Sequence, residues 1–249
     1  MKRYILALIF LLNFSVFAQT QNDFFKKGNA FYKKGDYQKA VEMYEKALQG
    51  NKQSAELYYN LANAYYKLNK IAPSIYFYEK AKRLSPDDED IDKNLSMAKR
   101  MKLDKIEEVP EGFTKKIQKS IALLFNFNTW AIMTVIWSFI GLLTFGIFLF
   151  SQQANLKRIG FAWMFISLFM LLFSWYFAGI SQKISQEKFA IVFVPETDLM
   201  TEPNFTSDKV VNLHEGTKVK VIREDGDWYY VKLPDGKKAW VPKTDVKIF

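Results

Sequence analysis

The chain has 249 residues, 49% of them apolar and 17% aromatic, with a net charge of +9 and no cysteine. The missing cysteines exclude disulfides, thiolate metal sites, a catalytic thiol and a lipidated N-terminal Cys. The charge does not suit nucleic acid: residues 19–112 carry 17 basic and 15 acidic groups and residues 181–249 carry 11 of each. The other seven cations, Lys2, Arg3, Lys115, Lys116, Lys119, Lys157 and Arg158, all flank apolar segments. There, positive groups set membrane orientation or meet anionic lipid, whereas a polynucleotide binder needs a basic face on a folded domain.

Met1-Lys2-Arg3, the apolar run Tyr4–Phe17 and Ala18 have the parts of a secretory signal over residues 1–18. Val16 and Ala18 suit the −3 and −1 positions, with cleavage before Gln19; an uncleaved signal anchor is the other reading. Either way the segment that follows is expected to be exported.

Residues 21–105 repeat, within a domain expected to span residues 19–105. A shift of 34 places lays Phe24 on Tyr58, Gly28 on Ala62, Phe31 on Tyr65, Ala40 on Ser74, Tyr44 on Tyr78 and Ala47 on Ala81. Small residues fall where helices touch and aromatics fall where they fill gaps. Gly35-Asp36 and Asn69-Lys70 mark a turn inside each repeat, Pro73 suits a first helical turn, and Pro86 breaks the chain after the second repeat. The period and pattern resemble the tetratricopeptide family, a solenoid of helix–turn–helix units. Asp90–Met101 starts a third unit without its second helix and is expected to cap the solenoid. Two repeats and a cap are few, so the domain is expected to draw stability from a partner or from the membrane surface.

Residues 106–128 are expected to hold a charged linker and a helix. Phe113, Ile117, Ile121, Leu124 and Phe125 recur at helical spacing with three lysines between them. This fits a helix lying on the membrane surface, or an extension of the next helix. Residues 129–150 and 159–180 are each 22 residues long without one Asp, Glu, Lys, Arg or His. About 20 apolar residues cross the hydrocarbon layer as a helix, so the pair, with residues 151–158 as a cytoplasmic loop, is expected to form a transmembrane hairpin. Trp130, Trp163, Trp175 and Tyr176 lie towards its ends, as interfacial aromatics do. Lys157 and Arg158 favour a cytoplasmic loop and outside termini; Lys115, Lys116 and Lys119 oppose this, and the N-terminal signal decides for it.

After a linker at residues 181–188, residues 189–249 change to short β-type runs: Ala190–Val194, Val210–Leu213, Lys218–Ile222, Trp228–Leu233 and Lys238–Val241. Turn residues at Glu215-Gly216, Asp225-Gly226 and Pro234-Asp235-Gly236 separate them. Five strands predict a small barrel. The segments Leu213–Val219, Gly226–Tyr229, Leu233–Gly236 and Ala239–Pro242 resemble the bacterial SH3 family, with Ala239 where relatives carry Gly.

No catalytic constellation emerges. His214 is the lone histidine and reads as a surface turn residue. Asp87-Asp88-Glu89-Asp90 lacks the spacing and glycine of a calcium loop and reads as a solvated helix start, where acids meet the positive helix end. There is no phosphate loop or nucleophile elbow, and the spans hold no ionisable group for a proton or ion path. The expectation is a non-enzyme with no metal and no cofactor.

Binding surfaces remain. Tetratricopeptide grooves are lined by first helices, which here present Asn29 and Asn63 at one repeat position, Asn60 and Asn94 at another, and Tyr32 and Tyr66 nearby. An Asn amide both donates and accepts, which suits a peptide backbone. The family's carboxylate clamp needs basic residues, and Phe25 occupies the first of those places. In the barrel, Trp228 and Pro242 take places that form the peptide groove of eukaryotic SH3 relatives, while Trp240 reads as core. The Tyr that usually follows the Pro is replaced at Asp245.

The fold class expected is thus a multidomain membrane protein: an all-α tetratricopeptide solenoid, a two-helix transmembrane hairpin and a small all-β SH3-like barrel. That order resembles the aerotolerance-operon membrane proteins of the BatE type. The resemblance implies a bacterial inner-membrane protein with both folded domains in the periplasm. Its implied partners are von Willebrand A-domain membrane proteins of the same operon, beside a MoxR-type ATPase, and its implied role is in oxygen or envelope-stress tolerance. The reading is an assembly scaffold; the alternative is an envelope sensor whose barrel binds peptidoglycan peptides.

Overall fold

The computed structural model describes residues 22–49, 53–110 and 112–249. The signal segment lies outside the described residues. The chain divides into two compact units, Met1–Glu108 with Lys188–Phe249, and Val109–Glu187.

In the first unit the repeats form antiparallel helices. They are α1 (residues 22–33), α2 (Tyr37–Leu48), α3 (Ala55–Lys67), α4 (Ile71–Leu84) and α5 (Glu89–Arg100). Local chemistry sets their ends. Asp36 caps α2 by accepting from the Lys39 N–H at 3.3 Å, and Ser54 caps α3 through the Leu57 N–H at 3.1 Å. Asp88 of the acidic run caps α5, accepting from the Asp90 and Ile91 N–H groups at 3.0 and 3.2 Å. Gly35 (φ 79°) and Asn69 (φ 58°), 34 residues apart, make the same left-handed turn in each repeat.

The pattern of small and aromatic residues becomes two packed layers. Ala40, Val41, Tyr44 and Ala47 of α2 pack with Leu57, Leu61, Ala64 and Tyr65 of α3. The next layer joins Ala62, Ala72, Ile75, Tyr78, Leu95 and Ala98, and it includes Ile191 from beyond the hairpin.

Ile191 belongs to the C-terminal sheet. Its strands are β1 (Lys188–Val192), β2 (Glu196–Met200), β3 (Lys209–His214), β4 (Lys218–Asp225), β5 (Trp228–Lys232), β6 (Lys238–Pro242) and β7 (Val246–Ile248). A short 3-10 turn at Lys243–Asp245 precedes β7. All pairings are antiparallel in the order β3-β2-β6-β5-β4-β1-β7. The sheet therefore has seven strands rather than five. Glu196-Thr197-Asp198 at the start of β2 disguised it as a loop, and β7 has three residues, too few for an alternating pattern. The core holds Ala190, Val192, Leu199, Leu213, Val219, Val231, Leu233, Ala239, Val241 and Val246. Ala239 is fully buried within it.

The second unit contains α6 (Phe113–Ala122), α7 (Phe127–Phe150) and α8 (Ala154–Ser185). The connection between the two long helices is only Ser151–Gln153, not residues 151–158, and α8 runs past 180. Charge marks where the apolar stretch ends, whereas Leu156, Lys157, Arg158, Gln182 and Lys183 are good helix formers and carry the backbone ladder onward. At 32 residues α8 is about 48 Å long, more than the ~30 Å thickness of a hydrocarbon layer. Small and hydroxyl residues line the α7–α8 contact: Thr134 Oγ1 donates to Ser174 Oγ at 3.0 Å, and a Cβ on Gly160 would lie 3.0 Å from the Thr144 carbonyl oxygen. Trp130 is not an exposed interfacial ring. It is buried, stacks on Phe177 at 5.5 Å, and donates Nε1–H to the Ala122 carbonyl at 3.1 Å.

Candidate functional site

Two surfaces of the first unit present binding chemistry, and a seam between solenoid and sheet holds them together. The first surface is a ladder along α1, α3 and α5. Asn29 Oδ1 accepts from the Tyr44 hydroxyl at 2.7 Å and from Asn60 Nδ2 at 3.2 Å. One repeat later, Asn63 Oδ1 accepts from the Tyr78 hydroxyl and from Asn94 Nδ2 at 3.0 Å, and Asn94 Nδ2 also donates to the Tyr59 hydroxyl at 2.8 Å. Each position of one triad is 34 residues from its counterpart in the other. Burial raises the pKa of Tyr44 and Tyr78, with neighbouring phenols adding to it, so both hydroxyls stay protonated donors.

The expected Asn29, Asn60, Asn63 and Asn94 thus come together, and the ladder uses half of each amide. Among the described residues, Nδ2 of Asn29 and Asn63 and Oδ1 of Asn60 and Asn94 take no hydrogen bond, and all four side chains are half-buried. Each triad therefore offers one amide donor group, on Asn29 or Asn63, and one carbonyl acceptor, on Asn60 or Asn94. Tyr32 and Tyr66 are also half-buried but stand outside the ladder: Tyr32 packs edge-on against Tyr37 at 5.2 Å, and Tyr66 packs on the second core layer.

The second surface is aromatic. Trp228 and Pro242 are paired across β5 and β6, as an SH3 groove requires, yet both are buried. Phe205, 77% exposed, covers Trp228 with ring centroids 4.7 Å apart. The loop that carries it is tied by Asn204 Oδ1, which accepts from the Thr206 N–H at 3.0 Å and its hydroxyl at 2.9 Å. Trp240 lies beside Trp228 and Met200 rather than in the main core. It packs on Tyr230 at 4.9 Å, and the Arg223 guanidinium sits 5.0 Å from both rings. Phe205 was invisible as a site residue because nothing in its own stretch reports that a tryptophan lies beneath it.

The seam was equally hidden. Asp104, just past α5, accepts from the His214 N–H at 2.8 Å and the Thr217 hydroxyl at 2.6 Å, and its other oxygen faces His214 Nδ1 at 2.8 Å. His214 is therefore a docking residue rather than a free turn residue. Gly216, at φ 83°, presses this turn onto α4: a Cβ there would lie 2.9 Å from Ile71 and 3.0 Å from Ile75. Glu79, with 6% of its side chain exposed, binds Lys218 at 2.7 Å and Lys99 at 2.8 Å. Burial works to raise the Glu79 carboxyl, but the two ammonium groups outweigh it and hold the group below its ordinary range. Lys218 shares that single carboxylate with Lys99, so burial prevails and its own pKa falls. Tyr76 completes the contact, meeting Phe193 at 5.5 Å and Phe249 at 5.9 Å while its hydroxyl donates to the Ile248 carbonyl at 3.2 Å. The solenoid's missing helix partner is thus supplied in part by the chain's own sheet.

Among the described residues no group of three or more His, Asp or Glu is placed to hold a metal ion. Family models match three stretches: a TPR repeat over residues 28–69, a tetratricopeptide repeat over 55–88 and a bacterial SH3 domain over 198–247. The last begins beyond β1, so Ile191 and Phe193, which touch the solenoid, lie outside it. No curated protein matches the chain. Among solved structures, the crystal structure of an NlpC/P60 family protein from Bacillus cereus is similar over 27% of this chain and 22% of its own, at 28% identity and a TM-score of 0.23. The chain spans about a fifth of that protein's length. TPR and SH3 domains are typically non-catalytic binding modules. The protein therefore combines TPR repeats and a bacterial SH3 domain, both modules of protein binding, with two apolar helices long enough to span a membrane.

Proposed function

We propose that the protein is a membrane-anchored scaffold of the bacterial cell envelope. Its TPR and SH3-like domains, on the periplasmic side of the inner membrane, gather partner membrane proteins. The observation that carries this reading is the ladder, whose two triads each leave one amide donor and one carbonyl acceptor unused, the alternating character of an extended peptide backbone. The BatE-type resemblance supplies the partner class, von Willebrand A-domain membrane proteins of the same operon, and the setting, tolerance of oxygen or envelope stress. A cleaved signal over residues 1–18, and residues 106–128 joining solenoid to hairpin, belong to the same proposal.

The test uses Asn29→Asp and Asn63→Asp together in the full chain. Each keeps an oxygen to accept from the ladder and removes only the unused N–H donors. Co-purification of the A-domain partners should fall about tenfold or more, because buried donors to a peptide are lost and charge is added. Unchanged recovery would count against the groove.

A second reading has its own observation. Phe205, exposed above the buried Trp228 on a tied loop, gives the sheet a ligand-facing ring that could stack on a cell-wall peptide. In that case the protein is an envelope sensor. Retention of the full chain on purified peptidoglycan, lost in Phe205→Ala, would support it; no retention of the unaltered chain would dismiss it.

A further inference from the structure

The stretch that leaves α5 does more than carry Asp104 to the seam. Beside it lies a cavity of about 360 Å³, lined by Lys99, Arg100, Lys102, Asp104, Lys105 and Ile106. That is room for a small molecule, since ligand sites run from about 300 to 1,000 Å³. Four of the six lining residues are cations, and the backbone that presents them is anchored. Asp104 is fixed by His214 and Thr217, Ile106 packs on the sheet core, and a Cβ on Gly216 would lie 3.7 Å from the Lys102 Cβ.

These cations are short of partners. Lys99 shares Glu79 with Lys218, and the Asp104 carboxylate is engaged by His214 and Thr217. Arg100, Lys102 and Lys105 make no ion pair among the described residues. Cations in the last turn of a helix are ordinary, because they face its negative end. That accounts for Lys99 and Arg100 but not for Lys102 and Lys105, which lie beyond α5. Lys102 is half-buried. Burial first, and then Lys99, lowers its pKa, although Asp104, Glu108 and Glu79 act the other way. The nearby carboxylates therefore leave it under-compensated.

The balance of charge decides what fits. Five ammonium or guanidinium groups, the four of the lining and Lys218, face three carboxylates, those of Glu79, Asp104 and Glu108. The surplus of two is matched by one phosphate dianion and not by one peptide carboxylate. A guanidinium fork flanked by ammonium groups also suits phosphate oxygens.

We propose that this cavity binds a small soluble phosphate, either the inorganic ion or a phosphate monoester, with Arg100, Lys102 and Lys105 on its oxygens. Bound there, the phosphate would tie the stretch that carries Asp104 to the end of α5 and so steady the seam. The site is separate from the ladder and does not depend on the membrane-spanning reading.

The test is calorimetric titration of the full-length chain in a non-ionic detergent, at low salt and mildly alkaline pH, where phosphate is a dianion. Inorganic phosphate, glycerol 3-phosphate and acetate are the probes. The proposal expects saturable one-to-one binding of a phosphate and none of acetate. Tighter binding of glycerol 3-phosphate would make the ligand a monoester; tighter binding of the inorganic ion would make it free phosphate. Lys102→Gln should weaken binding about tenfold, the effect of losing one charged hydrogen bond. Lys105→Gln, at an exposed position that leaves the fold untouched, should act the same way. Lys102→Arg should retain most of the affinity, and Lys93→Gln, exposed elsewhere on α5, should change nothing.

No saturable binding of either phosphate overturns the proposal. Binding that Lys102→Gln and Lys105→Gln both leave unchanged would mean an adventitious ion only, and overturns it too. Acetate bound as tightly as phosphate would make this a carboxylate site and equally sink the assignment.

Discussion

The Asp104 carboxylate and the His214 imidazole, 110 residues apart in sequence, face each other at 2.8 Å across the seam between the TPR solenoid and the SH3-like sheet. The same carboxylate accepts the His214 N–H and the Thr217 hydroxyl. One side chain thus holds the β3–β4 turn against the end of the solenoid. Asp104→Ala removes charged hydrogen bonds and leaves the partner groups to water, at a cost of about 2–3 kcal/mol to docking. Hydrogen exchange of the full chain should show lost protection at the 214–218 turn and at Ile191, while the first layer around Tyr44 keeps its protection.

The seam is acid-sensitive by the same chemistry. For Asp104, partial burial favours the neutral acid, but the His214 N–H, the Thr217 hydroxyl and the imidazole overcome it and lower the pKa from 3.8. Glu79 is likewise held below its ordinary 4.5. A depressed folded-state pKa gives stability that is complete above the unfolded value and is lost as pH falls through the folded one. The contribution of these two carboxylates to docking should therefore be complete above about pH 5 and weaken progressively below about pH 4. Distance measurement between spin labels on α3 and β5 across a pH series would check this, with Asp104→Asn showing a smaller acid response.

Glu79 and Lys218 should not contribute additively. Glu79→Gln leaves the half-buried Lys218 and the exposed Lys99 without their shared carboxylate and is expected to cost about 2–3 kcal/mol. Lys218→Met leaves Glu79 with Lys99, 2.8 Å away, and should cost less. The double variant should be more stable than the sum of the two losses predicts, as a thermodynamic cycle from denaturant unfolding would reveal.

Ser74 offers the reverse case. It is fully buried on α4, its hydroxyl has no hydrogen-bond partner among the described residues, and the matching position of the first repeat is Ala40. Ser74→Ala should stabilise the domain by about 1 kcal/mol, by removing an unsatisfied polar group and improving helix propensity. A rise in unfolding midpoint without a change in slope would bear this out.

How much of this could be read from the residues follows from distance along the chain. The 34-residue shift placed Asn29 over Asn63 and Asn60 over Asn94, and the same shift places Tyr44 over Tyr78, so both triads of the ladder were legible as repeats. Their hydrogen bonding was not, because it needs the relative rotation of α1, α3 and α5. Two long apolar runs announced α7 and α8, but charged Lys157 and Arg158 hid the true start of α8 at Ala154. Trp228 and Pro242 followed from local SH3 pattern, whereas Phe205 above them and Asp104 against His214 depend on folding alone. The Tyr76 hydroxyl meets the Ile248 carbonyl across 172 residues, and no local pattern encodes such a contact.

The most direct test of the scaffold account is photo-crosslinking from the ladder groove in native membranes. A benzophenone amino acid would replace Tyr66, beside Asn63 but outside the ladder, or Lys46, exposed on α2, as the control. The account predicts an adduct from position 66 with a von Willebrand A-domain membrane protein, absent from position 46 and abolished by Asn29→Asp with Asn63→Asp. No such adduct from position 66, or one of equal yield from both positions, would contradict it.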